Sequence, residues 1–383
     1  MRRLDNVSLS PLFCAVLFAI TTTSGAAAES AQLLAAADSL NDGPHVYWQT
    51  DSTAIVLYLC DGDVVRQTVE ATDTLRFKGF CADSLQEYVI AAQPPEIEPH
   101  VLDDVPRIFA VSDIHGEYEA LVDLLLSAGI IDETLHWSWG TGHLVVDGDV
   151  TDRGDKVTEC LWLIYRLEQE AQRAGGRVHF VLGNHEIMTM QGDNRYVNQK
   201  YLKGIALRTR IRYEDLHGPD MELGRWLRSK HSVIKLNGVL FVHGGIGPHI
   251  IDRGMSMADI NESVRGKIDL RSYKIVFDEL PNFLFKTMGP FWYRGYYEAN
   301  EGSYSQMTDT EVDAMLAYYG AQAVVVGHSE IDEVESSYSG RVIGIDVPLR
   351  DLGSFQGLLW EDGVFYRVTG SGERQPLAEA PVP

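Results

Sequence analysis

The sequence contains no basic run. Its 383 residues carry 32 Lys and Arg against 55 Asp and Glu, a formal charge of −23, and the acidic residues are spread along the whole chain. Gripping a nucleic-acid backbone needs clustered Lys and Arg, so nucleic acid is not an expected partner. The same charge favours solubility and repels anionic membranes. The apolar segment near the N-terminus, Pro11 to Ile20, is too short to span a bilayer. There is no internal repeat. Cysteine is scarce, four in all, so any bridge can only be a local staple. What is present suffices for a folded enzyme-sized body: the length allows two domains, or one large domain with appendages, and 45% apolar residues supply an ample core.

Arg2 and Arg3, the apolar Pro11–Ile20 segment and Ala26-Ala27-Ala28 before Glu29 have the layout of a secretory signal peptide over residues 1–28. The expectation is an exported chain, periplasmic or secreted, with no stable membrane insertion after cleavage. An N-terminal membrane anchor is the weaker alternative. Cys60, Cys81 and Cys160 would remain. Under oxidising conditions Cys60 and Cys81, in one N-terminal segment, are expected to bridge and contribute roughly 3 kcal/mol; the alternative is two separate buried thiols. Cys160 reads as a small buried hydrophobe.

Residues 29–98 read as a small β-rich module and linker. Short β-prone runs at Val46–Trp48, Ala54–Leu59, Val64-Val65, Thr74–Phe77 and Tyr88–Ala91 are separated by turn signals such as Asp61-Gly62. They suggest a sandwich-like unit over 43–92, or else an edge extension of a main sheet. Pro94 to Pro99 is a stiff acidic linker. A βα alternation follows, with amphipathic helices expected over 117–128 and 158–172. From Met188 to Lys230 runs a long polar, aromatic and basic insertion, either a lid or specificity element or a helical surface excursion. The main domain is expected over 99–370, with a disordered tail over 371–383.

The chemistry concentrates at strand ends. Leu144 to Val146 is a buried-strand run that breaks at Gly148 and then presents Asp149, Asp152 and Arg153. Carboxylates can hold cations, and a guanidinium can fork onto a planar, multi-oxygen anion. Four more apolar strands end the same way: Arg107–Val111 before Ser112-Asp113-Ile114-His115, Val178–Leu182 before Gly183-Asn184-His185-Glu186, Val239–Val242 before His243, and Val324–Val326 before Gly327-His328. Ligands of open α/β sheets bind beyond the carboxyl ends of strands. Five converging ends would therefore gather Asp113, His115, Asp149, Asn184, His243 and His328. Mixed Asp, His and Asn donors suit Mn²⁺, Fe²⁺ or Zn²⁺ better than Ca²⁺.

In order, the motifs D-x-H-G, G-D-x-x-D-R-G, G-N-H-E, H-G-G and G-H resemble the calcineurin-like metallophosphatase superfamily, in its phosphoprotein phosphatase branch, over about residues 105–370. G-N-H-E-I-M followed by Gly192-Asp193-x-Arg195-Tyr196, and Pro290-x-Trp292-Tyr293-Arg294-Gly295, resemble the bacterial and Shewanella-like protein phosphatases. The resemblance implies an α/β fold, a two-sheet β-sandwich flanked by helices, here preceded by the small all-β module. It implies two divalent metal ions: Asp113 and His115 on the first, Asp149 bridging, and Asn184, His243 and His328 on the second. A metal-bound hydroxide would attack phosphorus directly. His185 would be the general acid, charged and oriented by Asp152. Arg153 and Arg294 would hold phosphate oxygens, with help from Asn184, and Arg195 and Tyr196 would touch substrate.

The implied activity is phosphomonoester hydrolysis on phosphoserine, phosphothreonine or phosphotyrosine of a protein. Alternatives are a dinucleoside polyphosphate or nucleotide hydrolase, and a non-catalytic binding protein of the same fold. His45, His100, His136, His143, His179, His217, His231 and His249 read as structural. Asp147 and Asp155 flank the central motif and are expected in a solvated loop; the alternative is that they support the site from behind its ligands. Ser112 stands where many relatives have Gly, and no equivalent of the Tyr-bearing C-terminal loop of eukaryotic Ser/Thr phosphatases follows His328.

Overall fold

The computed structural model describes residues 40–78, 81, 87–271, 282–349 and 354–377. The expected signal peptide and nearly all of the Ala-rich stretch after it lie outside these residues. Strands β1 (Asp42–Thr50), β2 (Thr53–Cys60) and β3 (Asp63–Glu70) form an antiparallel sheet, and β4 (Thr74–Lys78) pairs with β5 (Glu87–Ala91). Asp61 and Gly62 both take positive φ, 49° and 83°, the conformation a two-residue hairpin between right-twisted strands requires. Neither sheet pairs with the larger ones, so the module is not an edge extension of the main sheet, although its buried side chains join the large core. Cys60 and Cys81 are bridged, and Cys160 is a buried free thiol.

The main body is a two-sheet sandwich flanked by helices. After β6 (Val101–Leu102) come β7 (Arg107–Val111), helix α1 (Tyr118–Ser127), β8 (His143–Val146), α2 (Val157–Ala174), β9 (Arg177–Phe180) and α3 (Asn184–Gln191). Then follow β10 (Ile234–Leu236), β11 (Val239–Phe241), β12 (Ala323–Val326), β13 (Glu335–Ser337), β14 (Val342–Gly344), β15 (Gln356–Glu361), β16 (Val364–Thr369) and β17 (Arg374–Pro376). One sheet has the order β17-β16-β15-β7-β8-β9 and the other β13-β14-β12-β11-β10-β6. Within the first, β7, β8 and β9 are parallel; within the second, β11, β12 and β14 are.

Side chains alternate across each strand, and both faces are covered, which is why these strands read as unbroken apolar runs. Ile108, Ala110 and Val145 meet Ile234, Phe241 and Val325 between the sheets. Phe109, Val111, Leu144 and Val146 instead pack in the large core that includes Leu121, Leu124, Leu161 and Ile164 of α1 and α2. No helix among the described residues is long and apolar enough to cross a membrane.

The insertion is helical: a π-helical turn at Lys200–Ile205, short helices at Ala206–Thr209 and Tyr213–His217, and Glu222–Arg228. It packs on the N-terminal module. Trp48 Nε1 and Tyr165 Oη each donate to the buried Glu222 carboxylate at 2.7 Å, and Arg208 donates to the Gly62 carbonyl at 2.8 Å. The disordered tail expected from residue 371 needs correction. β17 pairs with β16, Gln375 accepts from Arg367 and Arg374 from its own side reaches Glu361, so side-chain bonds hold an edge strand that hydropathy does not mark. Residues 378–383 lie outside the described residues.

Candidate active site

β7, β8 and β9 of one sheet and β11 and β12 of the other end side by side. Beyond those ends Asp113, His115, Asp149, Asp152, Arg153 and His328 all have φ between 49° and 69°. Left-handed backbone costs energy at such residues and persists only where the surroundings over-determine it. Here the loops brace one another: His115 N–H donates to the Asp149 carbonyl at 2.8 Å, and Gly154 N–H donates to the His115 carbonyl at 2.8 Å. Glu186, fully buried at the start of α3, accepts from the amides of Gly183, Asp149, Val150 and Thr151 at 2.8–2.9 Å. One carboxylate thus fixes the loop that carries Asp149. Its place in G-N-H-E was visible in the sequence, but its role was not.

Asp149 is the centre. Its Oδ2 lies 3.1 Å from His243 Nε2, 3.8 Å from His185 Nε2 and 3.9 Å from His115 Nε2. Two buried triads result, His115–Asp149–His185 and Asp149–His243–His328, each with donor atoms within 4.8 Å of one another. Asp113 Oδ1 is 3.9 Å from His115 Nε2, while its Oδ2 accepts from Ser112 Oγ at 2.6 Å and His328 N–H at 3.1 Å. Ser112 therefore takes the place of a glycine by bonding the carboxylate beside it. By distance His185 joins the first triad, which the motif reading gave to Asp113, yet its Nδ1 is held 2.8 Å from Asp152 Oδ2.

The donor set fits divalent cations. One terminal atom of the Asn184 amide sits 3.0 Å from His243 Nε2, 2.9 Å from His328 Nδ1 and 3.2 Å from Asp149 Oδ2. With oxygen in that place, lone pairs of four residues point at one another, an arrangement a cation reconciles. His243 Nδ1 donates to the Asp147 carbonyl at 2.7 Å and His115 Nδ1 to that of Thr151 at 3.0 Å, which turns each Nε2 toward the centre. The Nε2 atoms of His115 and His328 are buried without a hydrogen-bond partner.

The charges follow from the burial. Burial would raise the Asp149 pKa, but His243 and His185 outweigh it and hold it well below the usual range. Burial pushes His115 down to about 4 against the pull of Asp149 and Asp113. In His185, burial also acts downward, yet Asp149 and Asp152 prevail and raise it. Asp147 does not lie in a solvated loop. It follows directly on β8 and is fully buried, and burial lifts its carboxyl to about 8. Asp346, which the sequence reading missed, is buried too and lifted to about 9 by burial and by Asp113. The signal was there: Val342–Gly344 is one more apolar strand ending in an acid. Asp155 is exposed, as a loop residue should be.

The cations of the rim face the same centre. Arg153 is exposed and has no carboxylate partner among the described residues, and its charge acts on His115 and His185. Arg294 is half-buried, 3.9 Å from Glu298, and its charge acts on His328, whose ring lies edge-on to Trp292. Tyr196 is half-exposed, its ring 5.3 Å from that of His185. Arg195 is brought near but is gripped by both oxygens of Asp193 and lies over the Tyr196 ring. The histidines read as structural do sit apart from this centre: His143 and His179 pair at 3.0 Å, His45 bonds Asp42, and His231 meets the Glu98 carbonyl.

This fold, with a carboxylate shared by two histidine-bearing triads, defines a metallophosphatase. The chain belongs to the calcineurin-like phosphoesterase family, whose model matches residues 106–330. It is 30% identical over 224 residues to Shewanella-like protein phosphatase 1 of Plasmodium berghei, a match covering 58% of this chain and 61% of that protein. It is 31% identical over 204 residues to Shewanella-like protein phosphatase 2 of Arabidopsis thaliana, covering 43% of this chain and 52% of that one. The chain thus spans between half and two thirds of these two relatives. The crystal structure of a cold-active protein-tyrosine phosphatase from a psychrophilic Shewanella superposes with a TM-score of 0.81 at 35% identity, covering 88% of this chain and 99% of that chain.

Proposed function

We propose that the protein is a two-metal phosphomonoesterase acting on phosphorylated protein. The observation that carries the reading is Asp149 shared between two buried triads, with the His185–Asp152 pair beside it and an exposed Arg153 whose side chain has no carboxylate partner among the described residues. Asp113, His115, Asp149, Asn184, His243 and His328 would hold two divalent ions, of manganese, iron or zinc. Such ions supply Lewis acidity toward phosphoryl oxygens and make a water acidic enough to attack phosphorus.

The chain's own groups do the rest. Arg153 and Arg294 fork onto the non-bridging oxygens and orient the ester; Asn184, Arg195 and Tyr196 flank it. The Asp152 carboxylate holds Nδ1 of His185, leaving Nε2 to give a proton to the departing oxygen. The names of the two Shewanella-like relatives favour a phosphoprotein substrate, and the Shewanella structure's title makes phosphotyrosine the first side chain to try. Export is the reading for residues 1–28, and the Cys60–Cys81 bridge is in keeping with an oxidising compartment. The same reading divides the chain into a module and linker over 29–98 and a catalytic domain that starts at 99 and runs through β17.

The test is an assay of metal-reconstituted protein on phosphotyrosyl and phosphoseryl peptides and on a dinucleoside tetraphosphate, with metal content measured alongside. Peptide dephosphorylation that needs metal and is lost in His185→Asn, with metal retained, is the expected result. Faster cleavage of the dinucleotide, or metal binding without phosphate release, overturns it.

A further inference from the structure

Arg153 presents a difficulty for any phosphate-gripping role. It sits in left-handed backbone, φ 63°, and no carboxylate among the described residues fixes its side chain. Its aim must come from the loop that carries it, and that loop is tied on one side to a single segment of the insertion. Arg153 N–H donates to the Tyr196 carbonyl at 2.9 Å, and Asn198 Nδ2 donates to the Arg153 carbonyl at 2.8 Å. Lys200 Nζ donates to the Asp155 carbonyl at 2.6 Å, Tyr201 Oη donates to the same oxygen at 3.1 Å, and Tyr201 Oη accepts from Thr158 N–H at 3.3 Å. Residues 196–201 are thus zipped to residues 153–158.

The far end of the zip lies in the N-terminal module. Asp42 opens β1, and its carboxylate is fully buried. Its Oδ1 is 3.1 Å from Lys200 Nζ; its Oδ2 meets His45 Nε2 at 2.7 Å and accepts from Thr158 Oγ1 at 3.2 Å. Glu159 stands 3.5 Å from the same ammonium. The carboxylate of this pair is fully buried and the ammonium partly so, and a buried charge holds its partner tightly because it cannot be left alone.

We infer that Lys200 is a positioning residue: anchored on Asp42 of the module, it holds the Arg153 loop in the conformation that grips phosphate. The module's role is then mechanical support of the site. The inference rests on Arg153 binding phosphate, as proposed above.

The experiment uses the full chain with metal. Lys200→Met and Asp42→Asn should raise KM for a phosphopeptide, and the inhibition constant of inorganic phosphate, by about tenfold, with a smaller change in kcat. In an Arg153→Ala background the same substitutions should add nothing, because the step they support is already gone. The Arg153 amide should exchange with solvent faster in Lys200→Met, while amides of β7 and β8 stay protected. Equal losses with and without Arg153, or an unchanged Arg153 amide, overturn the inference and leave Lys200 a general stabiliser. If Lys200→Met does not fold, Asn198→Ala, which removes a neutral donor to the Arg153 carbonyl and the acceptor of the Lys200 N–H, is read by the same criteria. If the wild type releases no phosphate from any substrate, the phosphatase reading falls, and amide exchange alone decides the anchoring.

Discussion

Oδ2 of Asp152 lies 2.8 Å from Nδ1 of His185, and both side chains are buried. The bond fixes the imidazole's tautomer and, with Asp149, keeps its pKa raised against the effect of burial. A general acid must be protonated to act, so its rate contribution is lost as pH rises through that pKa. Asp152→Asn removes one of the groups that raise it and should move the alkaline limb of the pH–rate profile to lower pH. His185→Asn should cost about 100-fold or more on phosphoserine, whose alkoxide leaves poorly, and much less on an aryl ester with an acidic phenol. Equal losses on both esters would remove His185 from the proton-donor role.

Glu186 accepts four backbone amides with no counter-cation among them. Glu186→Gln turns an NH₂ group toward N–H donors and leaves buried amides unpaired, each worth about 1–3 kcal/mol. Thermal melting should fall by several degrees and metal stoichiometry should drop with it, because the Asp149 loop loses its brace. Melting and metal content equal to the wild type's would show that the loop holds itself.

Ser112 and Gly327 are matched. A Cβ at Gly327 would stand 2.1 Å from Ser112 Oγ and 2.5 Å from Asp113 Oδ2. Gly327→Ala should displace the Asp113 carboxylate and cost on the order of 100-fold in rate. Ser112→Gly added to it should restore part of that loss, since the hydroxyl is the nearest obstacle. Additive losses in the double variant would place the obstacle elsewhere.

His217 is buried against Tyr213, and burial pushes its pKa down to about 4. A base depressed in the folded state is protonated first in the unfolded chain, so its contribution to stability is intact above about pH 6.5 and drains away as pH falls toward 4. Asp147 and Asp346 are shifted the other way, so the comparison must be a difference. Relative to His217→Gln, the chelated wild type should lose roughly 3 kcal/mol of unfolding free energy between about pH 7 and pH 4, at ~1.4 kcal/mol per unit. A difference that does not change with pH would mean that folding leaves the His217 pKa where it stands in the unfolded chain.

The strands, the helices flanking them and the bridge between Cys60 and Cys81 were legible because each obeys a local rule: unbroken apolar runs for strands covered on both faces, a 3.6-residue period for α1 and α2, two cysteines in one segment. The strand ends likewise announced Asp113, His115, Asp149, Asn184, His243 and His328. Residue types beside a buried run are enough to mark a site when carboxylates and imidazoles have no business in a core. Such rules do not reach the facts that depend on what approaches from elsewhere in the chain. Asp147 looks like any loop acid until the second sheet closes over it. Nothing local in the insertion announced that it lies against the N-terminal module, and β17 is held by pairing with β16 and by side-chain bonds that hydropathy does not mark. Local sequence determined which groups would stand at the strand ends. Only the packing of two sheets and a module decided which of them lost water, because burial and charge proximity belong to neighbours distant along the chain.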